Sequence, residues 1–364
     1  MKAAVCHELH QPVQVEDVAL DGPEQSEVRV RIAAAGVCHS DLSAVHGVVR
    51  MKLPLLLGHE GAGVVEEVGE GVTHVAPGDK VVLAWVTPCG QCYYCRIGKP
   101  NLCEVGERIN NTNRMPDGST RAHVRGQDLN VYAAVGAMAE EAVVPAAACV
   151  KVPPDAPLDR CALLGCAVMT GVGAVFNSGV EPGSSVAVFG AGGVGLNAVQ
   201  GAAIAGAEKI IAIDMQPAKL ELARTFGATH VVDASRDDAV KAIRQLTEGR
   251  GTDYAFEAIG RKDTIEKAWA AVRKAGTCVV IGIGSIKESI ELKTFLIPYF
   301  EKRLVGCWYG SANVHLEIPR LLALYRAGKL KLDELITRTY RLEQVNEAFA
   351  DMTAGVNARG VIVF

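Results

Sequence analysis

A glycine-rich segment in the second half of the 364-residue chain constrains the fold most strongly. The segment Gly190-Ala-Gly-Gly-Val-Gly195 follows the apolar run Val186–Phe189 and opens a second apolar stretch that reaches about residue 205. The spacing G-x-G-x-x-G is weak evidence alone, but between a strand and a helix it is typical of a dinucleotide-binding turn. Gly190 allows the tight turn, Gly192 a close backbone approach to a pyrophosphate, and Gly195 close helix–sheet packing. The first helical N–H groups are then directed at the phosphates.

Strand and helix patterns alternate on the C-terminal side of this turn. Such alternation predicts a parallel sheet with helices on both faces, the doubly wound α/β arrangement of a Rossmann domain. The predicted strands are Ser185–Phe189, Lys209–Ile213, His230–Val232, Asp253–Glu257 and Thr277–Ile281, and the predicted helices lie at about 193–205, 217–226, 238–247 and 264–272.

Asp214 ends the second predicted strand, 19 residues beyond Gly195. A carboxylate there accepts hydrogen bonds from the adenosine ribose and repels a 2′-phosphate, which favours NAD over NADP. No arginine stands at positions 215–218, and Lys219 is a further candidate contact to the ribose. The cofactor-binding set also includes the following three residues: Thr170, Gly193 and Val194. A turn without a ligand, or a transmembrane helix-packing face, is the alternative reading of the glycines.

Short β-type runs separated by Gly, Pro and Asp fill the first 160 residues or so, which predicts a compact all-β unit. These runs are Glu27–Ala33, Gly63–Val68, Lys80–Trp85 and Glu141–Val144. The pattern after about residue 307 is mixed and ends in a predicted strand, Gly360–Phe364. We therefore place a mostly-β domain at residues 1–167, completed by 309–364, and the Rossmann domain at 168–308.

Four cysteines crowd into 15 positions: Cys89, Cys92, Cys95 and Cys103. Two-residue spacers let a turn direct successive sulfurs inward, and four thiolates complete a tetrahedral shell, so the cluster predicts a structural zinc site. Iron–sulfur clusters use similar spacings, and spacing alone does not exclude one. Free surface thiols are the third reading.

Charge and composition exclude several classes of function. The chain has 37 basic and 41 acidic residues without a basic run, so we expect no nucleic-acid partner. The uncharged stretch Cys161–Phe176 covers 16 residues and is too short to span a bilayer. The N-terminal sequence has no pattern of a signal peptide. Disulfide frameworks belong to small secreted domains, so metal binding is the natural alternative for the 11 cysteines. We expect a cytosolic protein without a membrane partner.

A second possible metal set is scattered along the chain in Cys38-His-Ser-Asp41, Gly58-His59-Glu60 and Cys166. Residue types alone leave it ambiguous, since single Cys and His residues are usually core residues. The run from Gly58 to Gly69, however, resembles the zinc signature of the zinc-dependent medium-chain alcohol dehydrogenases. The four-cysteine segment, Cys166, the glycine-rich turn and Asp214 follow in that family's order. The resemblance covers essentially the whole chain and is nearest to the class III-like, long-loop dimeric branch.

The resemblance implies a GroES-like catalytic domain beside the Rossmann domain, two zinc ions per chain, NAD and a homodimer. Cys38, His59 and Cys166 correspond to the ligands of the catalytic zinc. Three ligands leave a fourth position for water or for the substrate oxygen.

Further residues acquire roles from the same resemblance. Glu60 corresponds to an acid that approaches the metal during ligand exchange, and Asp41 to the carboxylate that fixes the imidazole tautomer. Ser40 corresponds to the hydroxyl that receives the substrate proton, and Trp85 to a wall of the substrate pocket. Arg359 and His39 correspond to pyrophosphate contacts.

One position departs from the family pattern. Many relatives have a histidine five residues after the first zinc cysteine, which passes the proton from the hydroxyl to solvent. Ser43 stands there in this chain, and the nearest histidine, His46, lies three residues further on. The sequence therefore does not identify the route by which the proton leaves. Ser43 is still included among the candidate catalytic residues.

The function implied is reversible oxidation of a primary alcohol, aromatic and long-chain alcohols included, to its aldehyde by hydride transfer to NAD. One alternative is a thiol-dependent formaldehyde dehydrogenase, because the segment Glu104–Asn130 resembles that branch's long insertion. It carries four candidate thiol-binding arginines, although solvated loop charges are their commoner role: Arg108, Arg114, Arg121 and Arg125. The other alternative is a non-catalytic dinucleotide-binding scaffold, which the three candidate ligands argue against.

Overall fold

The computed structural model describes all residues, 1–364. Its strands are β1 Lys2–Cys6, β2 Gln14–Asp17, β3 Ala19–Leu20, β4 Glu27–Val37, β5 Leu55–Leu56, β6 Gly61–Val68, β7 Lys80–Leu83, β8 Ala122–Val124, β9 Gln127–Asp128, β10 Asn130–Val131, β11 Glu141–Pro145, β12 Cys149–Val152, β13 Ser185–Phe189, β14 Lys209–Asp214, β15 His230–Asp233, β16 Thr252–Glu257, β17 Val272–Val280, β18 Arg303–Gly306, β19 Ile336–Tyr340 and β20 Arg359–Val363.

Twelve α-helices accompany these strands. They are α1 His39–Val45, α2 Tyr93–Arg96, α3 Glu104–Thr112, α4 Leu158–Cys161, α5 Ala167–Asn177, α6 Gly193–Ile204, α7 Pro217–Thr225, α8 Ala239–Leu246, α9 Lys262–Ala271, α10 Leu296–Phe300, α11 Val314–Arg326 and α12 Val345–Ala354.

The chain forms two compact units. The first consists of Met1–Cys166, Asn313–Arg326 and Leu332–Phe364, and the second of Ala167–Ala312 and Ala327–Lys331. No single helix is long and apolar enough to cross a membrane, and only the bent pair Leu158–Gly165 and Ala167–Asn177 has that length and composition when taken together.

The first unit is mostly β structure. Its largest sheet has the order β12-β7-β6-β4-β20-β19, with β11 also paired to β4. β4 is the central strand because it pairs antiparallel with three others: β6, β11 and β20. Val28, Val30 and Ile32 alternate along it and lie in the core of the unit, as period-2 patterning requires. This is the mostly-β unit that the sequence predicts.

The second unit is a six-stranded parallel sheet with the order β15-β14-β13-β16-β17-β18. β13 is central and pairs with β14 and β16. Its residues Ala187 and Phe189 belong to the hydrophobic core of the unit. The strand order reverses at β13, and ligands of doubly wound sheets bind at such a switch point, at the carboxyl ends of the strands. The predicted Rossmann arrangement is confirmed.

Candidate metal and cofactor sites

Two neighbouring strands bring the first candidate ligands together. β4 ends at Val37, directly before Cys38, and β6 begins at Gly61, directly after His59 and Glu60. The strands are antiparallel, with Ala35 opposite Gly61. The end of one and the start of the other therefore lie at the same edge of the sheet, although 21 positions separate Cys38 from His59.

Cys166 reaches the same place through a close backbone approach. It follows the 3₁₀ turn Ala162–Gly165. A Cβ atom on Gly165 would lie 2.5 Å from the carbonyl oxygen of Leu83 in β7, closer than atoms in contact can approach. The glycine before Cys166 thus lets this turn lie directly against the sheet.

The resulting cluster fits a metal ion. One ligand atom from each of four buried residues, Cys38, His59, Glu60 and Cys166, lies within 4.8 Å of the others. Ligands of a tetrahedral zinc with Zn–S bonds of 2.3 Å are about 3.8 Å apart. His59 Nδ1 faces Asp41 Oδ2 at 3.2 Å, but neither this atom nor His59 Nε2, both of them buried, has a hydrogen-bond partner. A buried polar atom in this state needs a partner, and a metal at this position supplies one.

The ionisable side chains of the cluster shift one another's pKa values. The hydrogen bond from the Cys166 thiol holds the pKa of Cys38 well below its usual value, and the same contact raises that of Cys166 well above its own. Burial alone would lower the pKa of His59, but the negative charges of Asp41 and Cys38 raise it well above its usual value. Cys38 and Asp41 thus place negative charge beside the His59 ring, and a metal bound here would require His59 and both cysteines in their deprotonated forms.

Glu60 forms a buried ion pair with Arg359. The two residues are 299 positions apart, and their side chains are 0% and 6% exposed. Burial raises the pKa of Glu60 to about 7, although the positive charge of Arg359 acts in the opposite direction. The sequence expectation assigned Arg359 to a cofactor pyrophosphate and did not foresee this pairing.

Ser40 and Asp41 lie in the first turn of α1. Cys38 Sγ is 3.8 Å from Ser40 Oγ, and Asp41 Oδ1 accepts a hydrogen bond of 3.0 Å from the Gly58 N–H. Ser40 thus lies beside the candidate ligands. Asp41 therefore faces the His59 ring and also holds the loop that carries His59.

Aromatic side chains flank the His59 ring. Trp85 meets it edge-on, with ring centroids 6.1 Å apart, and Tyr132 packs against it at 4.9 Å. No sequence pattern predicted a role for Tyr132, which lies in the short 3₁₀ turn Tyr132–Ala134. Ser43 is half-buried in α1, and the exposed His46 ring stacks on His10 at 5.6 Å.

The four-cysteine segment also gathers into one cluster, with a sulfur of each of Cys89, Cys92, Cys95 and Cys103 within 4.8 Å of the others. The sulfurs of Cys92 and Cys103 are 3.9 Å apart, the separation of tetrahedral zinc ligands. Cys103 Sγ accepts a hydrogen bond from the Cys89 N–H, and Cys89 Sγ accepts one from the Cys92 N–H. Such backbone donors stabilise thiolates.

The glycine-rich turn of the second unit has the geometry of a phosphate cradle. Gly190 adopts φ +94°, and a Cβ on Gly195 would lie 1.7 Å from the Gly190 carbonyl oxygen, so neither tolerates a side chain. A Cβ on Gly192 would meet nothing within 4 Å. α6 begins at Gly193, and its N-terminus adjoins this open space. The space and the free N–H groups fit a pyrophosphate.

Asp214 ends β14 next to this turn. Its carboxylate accepts hydrogen bonds from the N–H groups of Ala191 at 2.8 Å, Met215 at 2.8 Å and Gln216 at 3.0 Å. It therefore orders the turn, a role that sequence reasoning did not assign. Lys219 is half-buried in the first turn of α7, and Thr170 is buried in α5. His39 is exposed at the start of α1.

Comparison with protein families gives two matches. Residues 24–154 match the alcohol dehydrogenase GroES-like domain, and residues 193–327 match the zinc-binding dehydrogenase domain. The chain belongs to the zinc-dependent medium-chain alcohol dehydrogenases. It is thus an alcohol dehydrogenase by family, and the GroES-like and Rossmann domains expected from the resemblance are confirmed.

Individual relatives of this dehydrogenase cover its whole length. The NDMA-dependent alcohol dehydrogenase of Amycolatopsis methanolica is 43% identical over 100% of this chain and 98% of its own. Among solved structures, an alcohol dehydrogenase zinc-binding domain protein from Burkholderia ambifaria has a TM-score of 0.96 at 37% identity, covering 100% and 98% of the two chains. Benzyl alcohol dehydrogenase from Acinetobacter calcoaceticus has a TM-score of 0.95 at 32% identity, covering 100% and 99%.

Proposed function

We propose that this alcohol dehydrogenase oxidises primary alcohols reversibly to aldehydes, with a catalytic zinc, a structural zinc and NAD. The observation that carries the proposal is the buried cluster of Cys38, His59 and Cys166, in which His59 Nε2 has no hydrogen-bond partner. Two sulfurs and one imidazole are a ligand set of catalytic zinc sites, and they leave a fourth position for the substrate oxygen.

A zinc ion held by Cys38, His59 and Cys166 would supply most of the activation of the substrate hydroxyl. It would lower the pKa of that hydroxyl by about 8 units, worth about 11 kcal/mol, whereas one hydrogen bond contributes about 1 kcal/mol. The protein side chains therefore orient and carry protons. Ser40 accepts the proton of the substrate hydroxyl, and Asp41 keeps the His59 tautomer that leaves Nε2 for the metal. Trp85 and Tyr132 pack against the His59 ring and hold it in place.

The cofactor proposal rests on the second unit. The open space at Gly192 accommodates a pyrophosphate, and Asp214 provides the carboxylate that favours the unphosphorylated ribose. NAD supplies the hydride acceptor, while the protein binds and orients it. We also retain His39, Thr170, Lys219 and Arg359 as proposed cofactor contacts. Arg359 must then serve the cofactor while it is paired with Glu60.

NDMA is a second candidate electron acceptor, because one relative at 43% identity is named an NDMA-dependent alcohol dehydrogenase. In that case this chain would oxidise alcohols with NDMA as the acceptor and would turn over little with added NAD. The two proposals share the metal site and differ only in the electron acceptor.

A substrate panel with both acceptors tests the proposal. The purified protein is incubated with primary, secondary, aromatic and terpenoid alcohols, and aldehyde formation is followed with NAD, with NADP and with NDMA. We expect primary alcohols to react, with benzyl alcohol among them, and NAD to be preferred over NADP. Turnover with NDMA alone would support the second acceptor. Absence of aldehyde with every acceptor would contradict both proposals.

The thiol-dependent formaldehyde reaction has less support in the insertion. Arg121 is buried in an ion pair with Glu27, Arg114 pairs with Asp128 and Arg125 with Glu16. Three of the four candidate arginines are therefore engaged by acidic side chains. Formaldehyde oxidation that requires added glutathione or another cellular thiol would nevertheless establish this activity.

We further propose that the chain forms a homodimer in the cytosol. β18 is an edge strand of the parallel sheet, and its Leu304 and Val305 side chains are 37% and 38% exposed. Phe295 and Ile286 in the preceding segment are also exposed. An apolar edge strand pairs readily with a second copy of itself across a twofold axis, since such an interface is self-complementary.

A further inference from the structure

Tyr132 joins the metal cluster to the candidate proton acceptor. Its ring packs against His59 at a tilt of 45°, and its side chain interacts with that of Ser40. The residue is 9% exposed. Tyr132 is thus held between a candidate metal ligand and the hydroxyl proposed to receive the substrate proton. A shift of its ring would disturb both.

The backbone after Tyr132 is unusual. Ala133 and Ala134 have φ angles of 53° and 52°, a left-handed conformation that residues with a side chain rarely adopt. Two such residues in succession persist only where surrounding contacts impose them. The orientation of Tyr132 therefore depends on whatever holds this short segment.

Asn113 holds the segment from both sides of Tyr132. Its Oδ1 accepts a hydrogen bond of 3.1 Å from the Ala133 N–H, and its main-chain oxygen accepts one of 2.9 Å from the Val131 N–H. Asn113 is 2% exposed and caps the C-terminus of α3 with φ 54° and ψ 40°. A glycine would be the least strained residue in that conformation. The asparagine therefore provides an acceptor that glycine lacks.

A packed core strengthens this connection. Ile109 of α3, Met115, Ala134 and Val143 form one buried hydrophobic cluster. The helix that carries Asn113 and the segment that carries Tyr132 are therefore joined by apolar packing as well as by hydrogen bonds. Asn113, Ile109 and Met115 belong to the insertion of residues 104–130, and Tyr132 lies just after it.

We propose that Asn113 is a positioning residue for the alcohol dehydrogenase reaction, acting through Tyr132 on the Ser40 hydroxyl. The insertion then serves catalysis by fixing the orientation of a hydroxyl rather than by contacting the substrate. This inference rests on the proposed function, since it takes Ser40 as the acceptor of the substrate proton. Misplaced proton acceptors slow a reaction without weakening the binding of its substrate, so the effect belongs to the chemical step.

Four variants of the full-length enzyme test the proposal: Asn113→Gly, Asn113→Asp, Tyr132→Phe and the double variant of Asn113→Gly with Tyr132→Phe. Asn113→Gly keeps the left-handed backbone and loses Oδ1, whereas Asn113→Asp keeps an oxygen at that position. We expect Asn113→Gly to slow hydride transfer in a single turnover roughly 10- to 100-fold with little change in the KM for alcohol. Asn113→Asp should restore most of the rate.

The matched control is Asn111→Gly, an exposed position in the same helix. It loosens α3 to a similar degree without removing a bond to the Tyr132 segment, so we expect its rate to be that of the parent. Melting temperatures are measured for all variants. If Asn113→Gly does not fold, Asn113→Asp and Tyr132→Phe carry the test, with a rate near that of the parent expected for the first and a slower rate for the second.

The double variant measures whether the rate effects at Asn113 and Tyr132 are coupled. If Asn113 acts through the Tyr132 hydroxyl, the double variant is no slower than Tyr132→Phe alone, whereas independent effects multiply. The proposal would be overturned if the rate losses of the two single variants multiply in the double variant. It would also be overturned if Tyr132→Phe is as fast as the parent, or if Asn111→Gly is slow.

A crystal structure of Asn113→Gly gives a readout that does not depend on activity. We expect the centroids of Tyr132 and His59 to separate beyond 4.9 Å, and unchanged ring positions would overturn the proposal. If the parent oxidises no alcohol with any acceptor, the proposed function fails, and this structure still decides whether Asn113 positions Tyr132.

Discussion

Asp214 illustrates how one side chain serves two purposes. Its carboxylate accepts three backbone N–H bonds, one of them from Ala191 in the glycine-rich turn. The same negative charge disfavours a phosphate on the adenosine ribose. Replacement by an uncharged residue therefore separates the ordering of the turn from the selection of the cofactor.

We predict that Asp214→Asn, which keeps an acceptor oxygen, relaxes the preference for NAD over NADP by about tenfold, or about 1.4 kcal/mol. Asp214→Gly should in addition weaken NAD binding, because the Ala191 N–H loses its acceptor. The ratio of kcat/KM for the two cofactors measures both effects.

Asp233 provides the matched control for this prediction. It lies opposite Asp214 at the end of the neighbouring strand β15 and accepts a bond from the Ser235 N–H. Asp233→Asn should leave the cofactor preference unchanged. If Asp214→Asn prefers NAD over NADP as strongly as the parent does, Asp214 does not contact the ribose.

At the scale of elements, local patterns predicted most of the second unit. The helix expected at about 193–205 is α6, Gly193–Ile204, and the strand expected at Lys209–Ile213 is β14, Lys209–Asp214. β4 is longer than the predicted Glu27–Ala33. Its end contains Ala34, Ala35 and Gly36, small residues of low strand propensity, and is extended because β6 and β20 pair with it.

Only part of the candidate sites could be predicted from the sequence. Regular spacing revealed the four-cysteine cluster and the glycine-rich turn, and the family resemblance supplied Cys38, His59 and Cys166. The Glu60–Arg359 pair and the position of Tyr132 were not predictable, because they arise from pairings across distant parts of the chain. Two-residue strands such as β5 and β9 were also missed, since long-range pairing rather than local pattern defines them.

The four-cysteine lobe is an element without a core of its own. Its helix α2 buries no residue, and Tyr93 and Ile97 are exposed. A segment with so little apolar burial depends on other interactions for its structure, and a metal ion held by four thiolates provides them.

We predict that Cys95→Ser lowers the zinc content by about one ion per chain and opens the lobe to trypsin at the exposed Arg96. The buried Cys161, outside both clusters, is the control. Metal analysis and limited proteolysis should show no change for Cys161→Ala. A Cys95→Ser protein with its full metal content and a protected Arg96 would show that the lobe does not need the ion.

At the scale of the whole molecule, the proposed dimer removes an exposed edge. The backbone groups of β18 have no strand on their outer side, and solvent-exposed edges of this kind favour association. A lysine within the edge opposes pairing through its charge and its hydration.

We therefore predict that Val305→Lys shifts the protein from dimer to monomer in sedimentation equilibrium. Leu316→Lys is the control, because Leu316 is equally apolar and 63% exposed in the other unit. A Val305→Lys protein that sediments as the parent does would place the interface elsewhere or establish a monomer.

We propose that Cys38, His59 and Cys166 hold the metal at which alcohol is oxidised. The Cys38→Ala variant tests this when zinc content, NAD binding and aldehyde formation are measured in one preparation. We expect about two zinc ions per chain in the parent and about one in the variant, with aldehyde formation abolished and NAD still bound. A variant that keeps both ions and its turnover would show that Cys38 does not hold a catalytic metal.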